Sequence, residues 1–251
     1  MEVKYIDSMG GDLAIVNAAR NSFGRSHDEL TEKDVRLLWF LARGRTQAEH
    51  HALLQDVMAA SSYEEAEAVL EAAKVPTHWV PFAHTKITVQ ITAPIFVRAQ
   101  WTKTWVDVAR TSDVPVSSEL SRRYVTDNPE HWVPDTVRTA PGADKKQGSG
   151  GRHPESDWHR QVLNNSQTIS TARYTGMIDA GVAPEQARAV LPQGAYTTWT
   201  ETASLYAYAQ LCLQRLAPDA QRESAELAAK VDAICAEVAP FAWAALMNDR
   251  Q

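Results

Sequence analysis

His84-Thr-Lys-Ile-Thr-Val-Gln-Ile91 alternates polar and apolar residues, and shortly after it Pro94 opens Ile95-Phe-Val-Arg-Ala-Gln-Trp101. The first stretch has the period of two that marks a half-buried β-strand. The second loses that period, and behind a proline suited to a first helical turn it predicts a helix from Ile95 to about Lys103. A strand feeding a helix in mid-chain argues against a purely helical bundle. Upstream, Val3–Ile6 reads as a short strand closed by the Met9-Gly10-Gly11-Asp12 turn, with Asp12 placed to cap a helix over Leu13–Arg20. Between Thr31 and Ala42, Val35, Leu38, Trp39 and Ala42 share one helical face, and Gly44 stops the helix. Gln47–Ala60 and Ser62–Ala73 read as a helical hairpin, with Ser61 and Glu64 in capping-box form.

Downstream, Asn128–Pro154 is punctuated by Pro and Gly and reads as a long loop. From Ser156 the chain reads as helical: a long helix ending near Gly181, a short one opened by Pro184, then Thr198–Leu216 and Pro218–Val238. There is no repeat at solenoid periods and no linker between two self-sufficient cores. One α+β domain over residues 1–251 is expected.

Composition narrows the function classes. Lys+Arg 25 against Asp+Glu 31 leaves a formal charge of −6, so no global basic field attracts a nucleic-acid polymer or an anionic membrane. The two cysteines, Cys212 and Cys235, have no Cys-x-x-Cys spacing, which argues against a thiol-redox pair or structural zinc. The opening MEVKYIDSMGGDL lacks the pattern of a signal peptide, and no apolar run nears the roughly 20 residues that span a bilayer. A cytoplasmic chain is expected.

The densest polar cluster is Ser117-Ser-Glu-Leu-Ser-Arg-Arg-Tyr124. Adjacent guanidinium forks beside hydroxyls and a carboxylate suit an oxyanion such as phosphate, although a solvated turn with a surface ion pair is the commoner outcome of such spacing. Arg188 and Arg215 sit in apolar surroundings and need an anionic partner or an exit to water. His78 and His84 flank Pro81-Phe82 without metal-ligand spacing, and no metal is assigned. No nucleophile elbow, dinucleotide fingerprint or Walker loop occurs.

In order along the chain, these segments resemble the flavin-dependent thymidylate synthases. Asn17-Ala-Ala-Arg-Asn-Ser-Phe23 is similar to that family's Ala-Ala-Arg-x-Ser-Phe, and His78-x-x-Pro-Phe-x-His84 to its His-x-x-Pro-Phe-Glu-His, with Ala83 in place of Glu. Pro94 to Trp101 is close to Pro-Ile-Phe-Val-x-Arg-Gln-Trp, and Ser118 to Tyr124 to Asn-Glu-x-Ser-x-Arg-Tyr. Lys146-Gln-Gly-Ser149, Ala187 to Pro192, Thr202-Ala-Ser-Leu-Tyr, Arg215 and Ala220-Gln-Arg-Glu223 follow in the family's order.

The resemblance implies a small twisted antiparallel-type sheet flanked by long helices, a homotetramer, and reductive methylation of dUMP to dTMP. FAD would be the cofactor, with methylenetetrahydrofolate and NADPH as co-substrates. It assigns Gln100, Ser121, Arg122, Arg123, Arg188 and Arg215 to the nucleotide, with Ser121, Glu119 and Arg188 at the reacting centre. It assigns His78, Lys103, Thr104, Ser118, Glu119, Ser204, Tyr206 and Gln210 to the flavin.

Departures gather on the flavin side. Lys103-Thr104-Trp105 stands where the family has Arg-His-Arg, and Ser204 and Tyr206 stand for its Asn and Arg. Two insertions are expected, a peripheral hairpin over residues 47–74 and a second over 106–116. Losing two charge-assisted contacts costs about 3–6 kcal/mol. Two alternatives stay open: a hydroxymethylase acting on dUMP or dCMP, and a flavin-free nucleotide-binding or structural relative, the latter motivated by Trp105.

Overall fold

The computed structural model describes residues 1–73, 77–110, 112–143 and 148–247. Along the chain run β1 (Glu2–Met9), α1 (Asp12–Arg20), α2 (Glu32–Arg43), α3 (Gln47–Ala59), α4 (Tyr63–Ala72), β2 (Lys86–Pro94) and α5 (Ile95–Val108). There follow β3 (Val116–Glu119), α6 (Ser156–Asp179), α7 (Pro184–Ala187), β4 (Tyr196–Ser204), α8 (Leu205–Arg215), α9 (Arg222–Val238) and α10 (Pro240–Met247). The four strands form one antiparallel sheet in the order β1-β2-β4-β3, an α+β fold as expected. Thr88 meets Thr202 and Thr92 meets Thr198 through hydroxyls 2.9 Å apart, which fixes the antiparallel register of β2 and β4. β3 pairs antiparallel with β4 from Val116↔Thr202 to Glu119↔Trp199.

The deciding stretch behaves as its pattern predicts. Ile87, Val89, Ile91 and Ala93 of β2 are buried and the intervening Thr88, Gln90 and Thr92 are not. Pro94 is the N-cap of α5. The helix continues beyond Lys103 to Val108, because Trp101, Thr104, Trp105 and Val108 keep burying one face. The first residues of the 106–116 insertion are therefore helical.

The segment Thr198–Leu216, read from sequence as helix, is corrected by the structure. Its first part is β4, and α8 begins only at Leu205. Thr197, Trp199, Glu201 and Ala203 alternate inward along β4. Two of those four are polar, so hydropathy hides the period of two. Two further expectations shift. Asp12 lies in the first turn of α1 rather than at its cap, and its carboxylate caps α10 instead, accepting from the N–H groups of Phe241 (3.1 Å) and Ala242 (2.7 Å). The cap of α4 is Ser62 answered by Glu65, one residue later than read. β3 and α10 had no sequence reading.

The chain divides into two compact units, and neither is a continuous stretch. Unit 1 comprises Met1–Ile6, Thr88–Thr202 and Leu211–Val231; unit 2 comprises Asp7–Ile87, Ala203–Gln210 and Asp232–Gln251. The interior of unit 1 includes Val97, Trp101, Tyr174, Trp199 and Leu227, and that of unit 2 includes Ile15, Leu38, Phe82, Leu205 and Tyr208.

In unit 2, Thr31 caps α2, and Asp34 three residues on returns the bond by accepting from the Thr31 N–H (2.9 Å) and hydroxyl (2.6 Å). Gly44 ends α2 in the left-handed conformation and donates to Phe40 at 2.7 Å. In unit 1, the described parts of the Asn128–Pro154 segment, residues 128–143 and 148–154, are irregular, as expected, and held by two isolated bridges, His131↔Ala195 and Arg138↔Arg152. Among the described residues no helix is long and apolar enough to cross a membrane.

Candidate active site

The polar cluster of unit 1 starts on β3, where Ser118 and Glu119 are exposed, and continues into the turn Ser121–Tyr124. Glu119 is held on both oxygens: Oε1 accepts from Thr197 Oγ1 at 2.8 Å and Oε2 from Arg98 Nε at 3.1 Å. Ser121 Oγ accepts from Arg123 Nε at 3.4 Å, and the Arg123 guanidinium lies over Tyr124. Arg122 turns to Asp127, donating to its carboxylate (2.6 Å) and carbonyl (2.9 Å).

Three expected residues are joined by hydrogen bonds around α5. Thr104 Oγ1 donates to the Gln100 carbonyl (3.1 Å) and accepts from Arg215 Nε (2.6 Å). Gln100 Oε1 accepts from Ser224 Oγ at 2.8 Å. Burial lowers the pKa of Arg215, opposed by the Asp107 carboxylate, yet a guanidinium stays protonated at any working pH. Thr104, assigned to the flavin by resemblance, is buried and engaged by this nucleotide-side arginine, whereas Lys103 is exposed. Arg188 is exposed and donates to the Glu185 carbonyl at 3.3 Å. Among the described residues Arg123, Arg188 and Arg215 are not hydrogen-bonded to one another.

The remaining flavin-side positions belong to unit 2. His78 stacks on Phe40 with ring centroids 5.8 Å apart, and Trp79 stacks on Tyr206 at 5.4 Å. Burial raises the Tyr206 pKa against a hydrogen bond to Thr77. Ser204 is buried, and its hydroxyl accepts from the Ala207 N–H in the first turn of α8; Gln210 lies half-buried on the same helix. His78 also lines a cavity of about 940 Å³ whose walls include Phe23, Phe40 and Trp79, with Arg20, Lys33 and Arg36 adding positive charge. Aromatic walls with convergent cations suit a conjugated ring system carrying anionic groups, and the volume lies in the range of cofactor sites. The fit to a flavin or folate ring is good.

Arg20 is fixed on this wall by Asp34. That carboxylate is fully buried and accepts from Arg20 Nε (2.9 Å) and Nη2 (2.6 Å) and, when the imidazole carries its proton on Nδ1, from His27 (2.9 Å). Burial would raise its pKa, but the bonds from Thr31, His27 and Arg20 outweigh that and hold it well below the usual carboxylate range.

Two functional candidates escaped the sequence reading. Glu201 of β4 is fully buried and accepts from the indole N–H groups of Trp105 (2.8 Å), Trp101 (3.2 Å) and Trp199 (3.3 Å). Burial raises its pKa and these bonds oppose the shift. Arg98 reaches toward it from α5. The available signal was a guanidinium in the variable position of the Pro-Ile-Phe-Val-x-Arg-Gln-Trp pattern, with Ala99 where the pattern has Arg.

Of the Lys146-Gln-Gly-Ser149 motif, Lys146 and Gln147 lie outside the described residues, and Ser149 accepts from Arg138 Nε at 2.6 Å. His153, Glu155 and His159 each bring one ligand atom within 4.8 Å of the others. His153 Nδ1 already accepts the Glu155 N–H at 3.1 Å, which leaves the neutral ring's proton on Nε2 and no free lone pair for a metal.

Comparison with known proteins settles the family. The family model of thymidylate synthase complementing proteins matches residues 4–241. The chain belongs to this family. As a member it is 30% identical over 243 residues to a flavin-dependent thymidylate synthase of Thermus thermophilus, covering 97% of this chain and 74% of the relative. The Treponema pallidum flavin-dependent thymidylate synthase is 29% identical over 250 residues, covering 98% and 68%. Such identities mark a divergent member of the family, and the family is one of flavin-dependent enzymes. In fold it is similar to a UMP/dUMP methylase, PolB of Streptomyces cacaoi, solved with 5-Br dUMP: TM-score 0.73, 23% identity, 98% of this chain and 94% of that one.

Proposed function

We propose that this family member carries out flavin-dependent reductive methylation of dUMP to dTMP, with methylenetetrahydrofolate giving the carbon and NADPH the reducing equivalents. The observation that carries the reading is similarity to flavin-dependent thymidylate synthases along 97% of the chain. Bound reduced flavin supplies the hydride that turns the transferred carbon into a methyl group. The residues bind and orient. Arg215, braced by Thr104, and Arg123, beside Ser121, offer guanidinium donors to the nucleotide, and Arg188 adds a third; Arg122 supports the turn through Asp127. Glu119 and Ser121 line the reacting centre. The cavity beside His78, Trp79 and Tyr206 takes a ring of the flavin or folate. Lys103, Ser118, Ser204 and Gln210 are further flavin contacts by family resemblance.

The state of Gln100 favours uracil over cytosine. Its carbonyl oxygen is engaged by Ser224, which leaves its amide N–H pair to offer. At position 4 those donors complement the carbonyl oxygen of uracil and oppose the amino group of cytosine. Among relatives and structural neighbours, names specify thymidylate synthesis or UMP/dUMP methylation, so hydroxymethylation and a flavin-free role are not favoured. Purified protein supplied with FAD, methylenetetrahydrofolate and NADPH should convert dUMP to dTMP and leave dCMP untouched. Conversion of dCMP at a comparable rate overturns the role given to Gln100, and a hydroxymethylated nucleotide as sole product overturns methylation.

A homotetramer is part of the same reading. Trp158, Val162 and Ile169 of α6, spaced i, i+4 and i+11 on one helical face, are 59%, 41% and 51% exposed, and an apolar stripe of this kind supports a subunit contact.

A further inference from the structure

Two charged side chains lie behind Glu119. Arg98 is 12% exposed and Glu201 fully buried. Arg98 Nε donates to Glu119 Oε2 at 3.1 Å and its Nη2 to Ser117 Oγ at 3.2 Å. Its Nη1 is 4.0 Å from Glu201 Oε2, and its guanidinium lies 4.5 Å above the Trp199 ring. Glu201 in turn takes indole N–H bonds from Trp101, Trp105 and Trp199. Indoles are neutral donors. They satisfy the carboxylate's lone pairs without themselves carrying a positive charge, and the Arg98 guanidinium brings one to within 4.0 Å in a dry environment. A lone arginine on a helix surface samples many rotamers; one stacked on an indole and drawn by a buried carboxylate samples few.

We propose that Arg98 is a positioning residue for this enzyme's reaction: anchored by Glu201 and its indole cage, it holds the Glu119 carboxylate in one orientation at the reacting centre. The inference rests on the functional reading above, in which Glu119 lines that centre. It also gives Trp105 a role. Where the family pattern has a guanidinium, this chain places an indole that closes the cage, and the guanidinium that meets the reactive edge comes from Arg98, earlier on α5.

The test compares Arg98→Met, Arg98→Lys, Glu201→Gln, Glu119→Gln and the Arg98→Met/Glu119→Gln double variant. It follows dTMP formation, with melting curves to confirm folding. Removing a charge-assisted contact used in the reaction lowers kcat by about 10- to 100-fold, while KM for dUMP stays within about three-fold if Arg98 acts through Glu119 rather than on the nucleotide. Arg98→Lys, which keeps the charge, recovers part of the loss. Glu201→Gln lowers kcat in the same direction. In the Glu119→Gln background Arg98→Met adds less than about three-fold, since its target is gone.

Arg98→Met and Glu201→Gln both within about three-fold of an active wild type overturn the proposal alone. So do Arg98→Met and Glu119→Gln losses that multiply in the double variant. A wild type that forms no dTMP overturns the functional reading, and this inference with it.

Discussion

Single side chains in this molecule are decided by what surrounds a buried charge. Asp34 and Glu201 are both fully buried carboxylates, yet they shift in opposite directions. Asp34 is met by Arg20, by His27 and by two donors of Thr31, and its pKa falls; Glu201 is met chiefly by neutral indoles, and burial wins. The depressed value makes Asp34 a source of stability that is present above its unfolded pKa of roughly 4 and lost as pH falls toward the lower folded value. Asp34→Asn, which leaves the Arg20 guanidinium unpaired, should cost about 3–5 kcal/mol near neutral pH. Urea unfolding measures this, and the deficit should shrink as pH drops below about 4. A deficit independent of pH would show that the charge is not what Asp34 contributes.

The same scale explains why half the site was legible. Arg122, Arg123, Arg188 and Arg215 stand out in sequence because guanidinium groups are few among apolar or hydroxyl neighbours. Glu201 does not, because in sequence it is one polar residue among threonines. Its importance comes from three indoles that converge from α5 and β4, which no local window displays.

Among the elements, β2 and α5 were readable because their buried faces are apolar, and period and hydropathy agree. β4 was misread as helix because its inward face carries Thr197 and Glu201 beside Trp199 and Ala203; its β-branched threonines were the better guide. Asp12 shows a related limit. Its position before an apolar run signals a helix start, and the helix it caps is α10, some 230 positions away. The hairpin of α3 and α4 was legible from the serine–glutamate spacing before its second helix, although the cap is Ser62 with Glu65, and the Thr46–Glu49 cap of α3 had no sequence reading.

Neither hairpin helix has a buried side chain among those described, so the hairpin adds little to the interior of unit 2. Replacing residues 47–73 with a short Gly/Ser linker should move the melting temperature by less than about 5 °C and leave dTMP formation within about three-fold. A larger loss of either would make the hairpin part of the enzyme rather than an appendage.

At the scale of the whole molecule, the net charge of −6 conceals a few arginines on the proposed nucleotide side and an aromatic, cation-rimmed cavity in unit 2. Acidic composition argues against a polymeric nucleic acid and leaves room for one phosphorylated metabolite. The resemblance anticipated a small antiparallel sheet with long helices, and the chain has both. What it did not anticipate is that the altered flavin-side positions Thr104 and Trp105 turn inward, to Arg215 and to Glu201. These two departures from the family pattern are thus built into the packing of unit 1. Sedimentation should give a tetramer, and Trp158→Glu should shift it toward smaller species; an unchanged mass distribution would remove α6 from the contact.

This chain makes thymidylate with a flavin as the immediate reductant, and one anaerobic experiment tests that directly. Protein loaded with FAD, reduced anaerobically and freed of NADPH, is mixed with dUMP and methylenetetrahydrofolate while visible absorbance and product are followed together. One dTMP should form for each flavin oxidised. Flavin that stays reduced with no dTMP formed, in protein that has bound it, would contradict it.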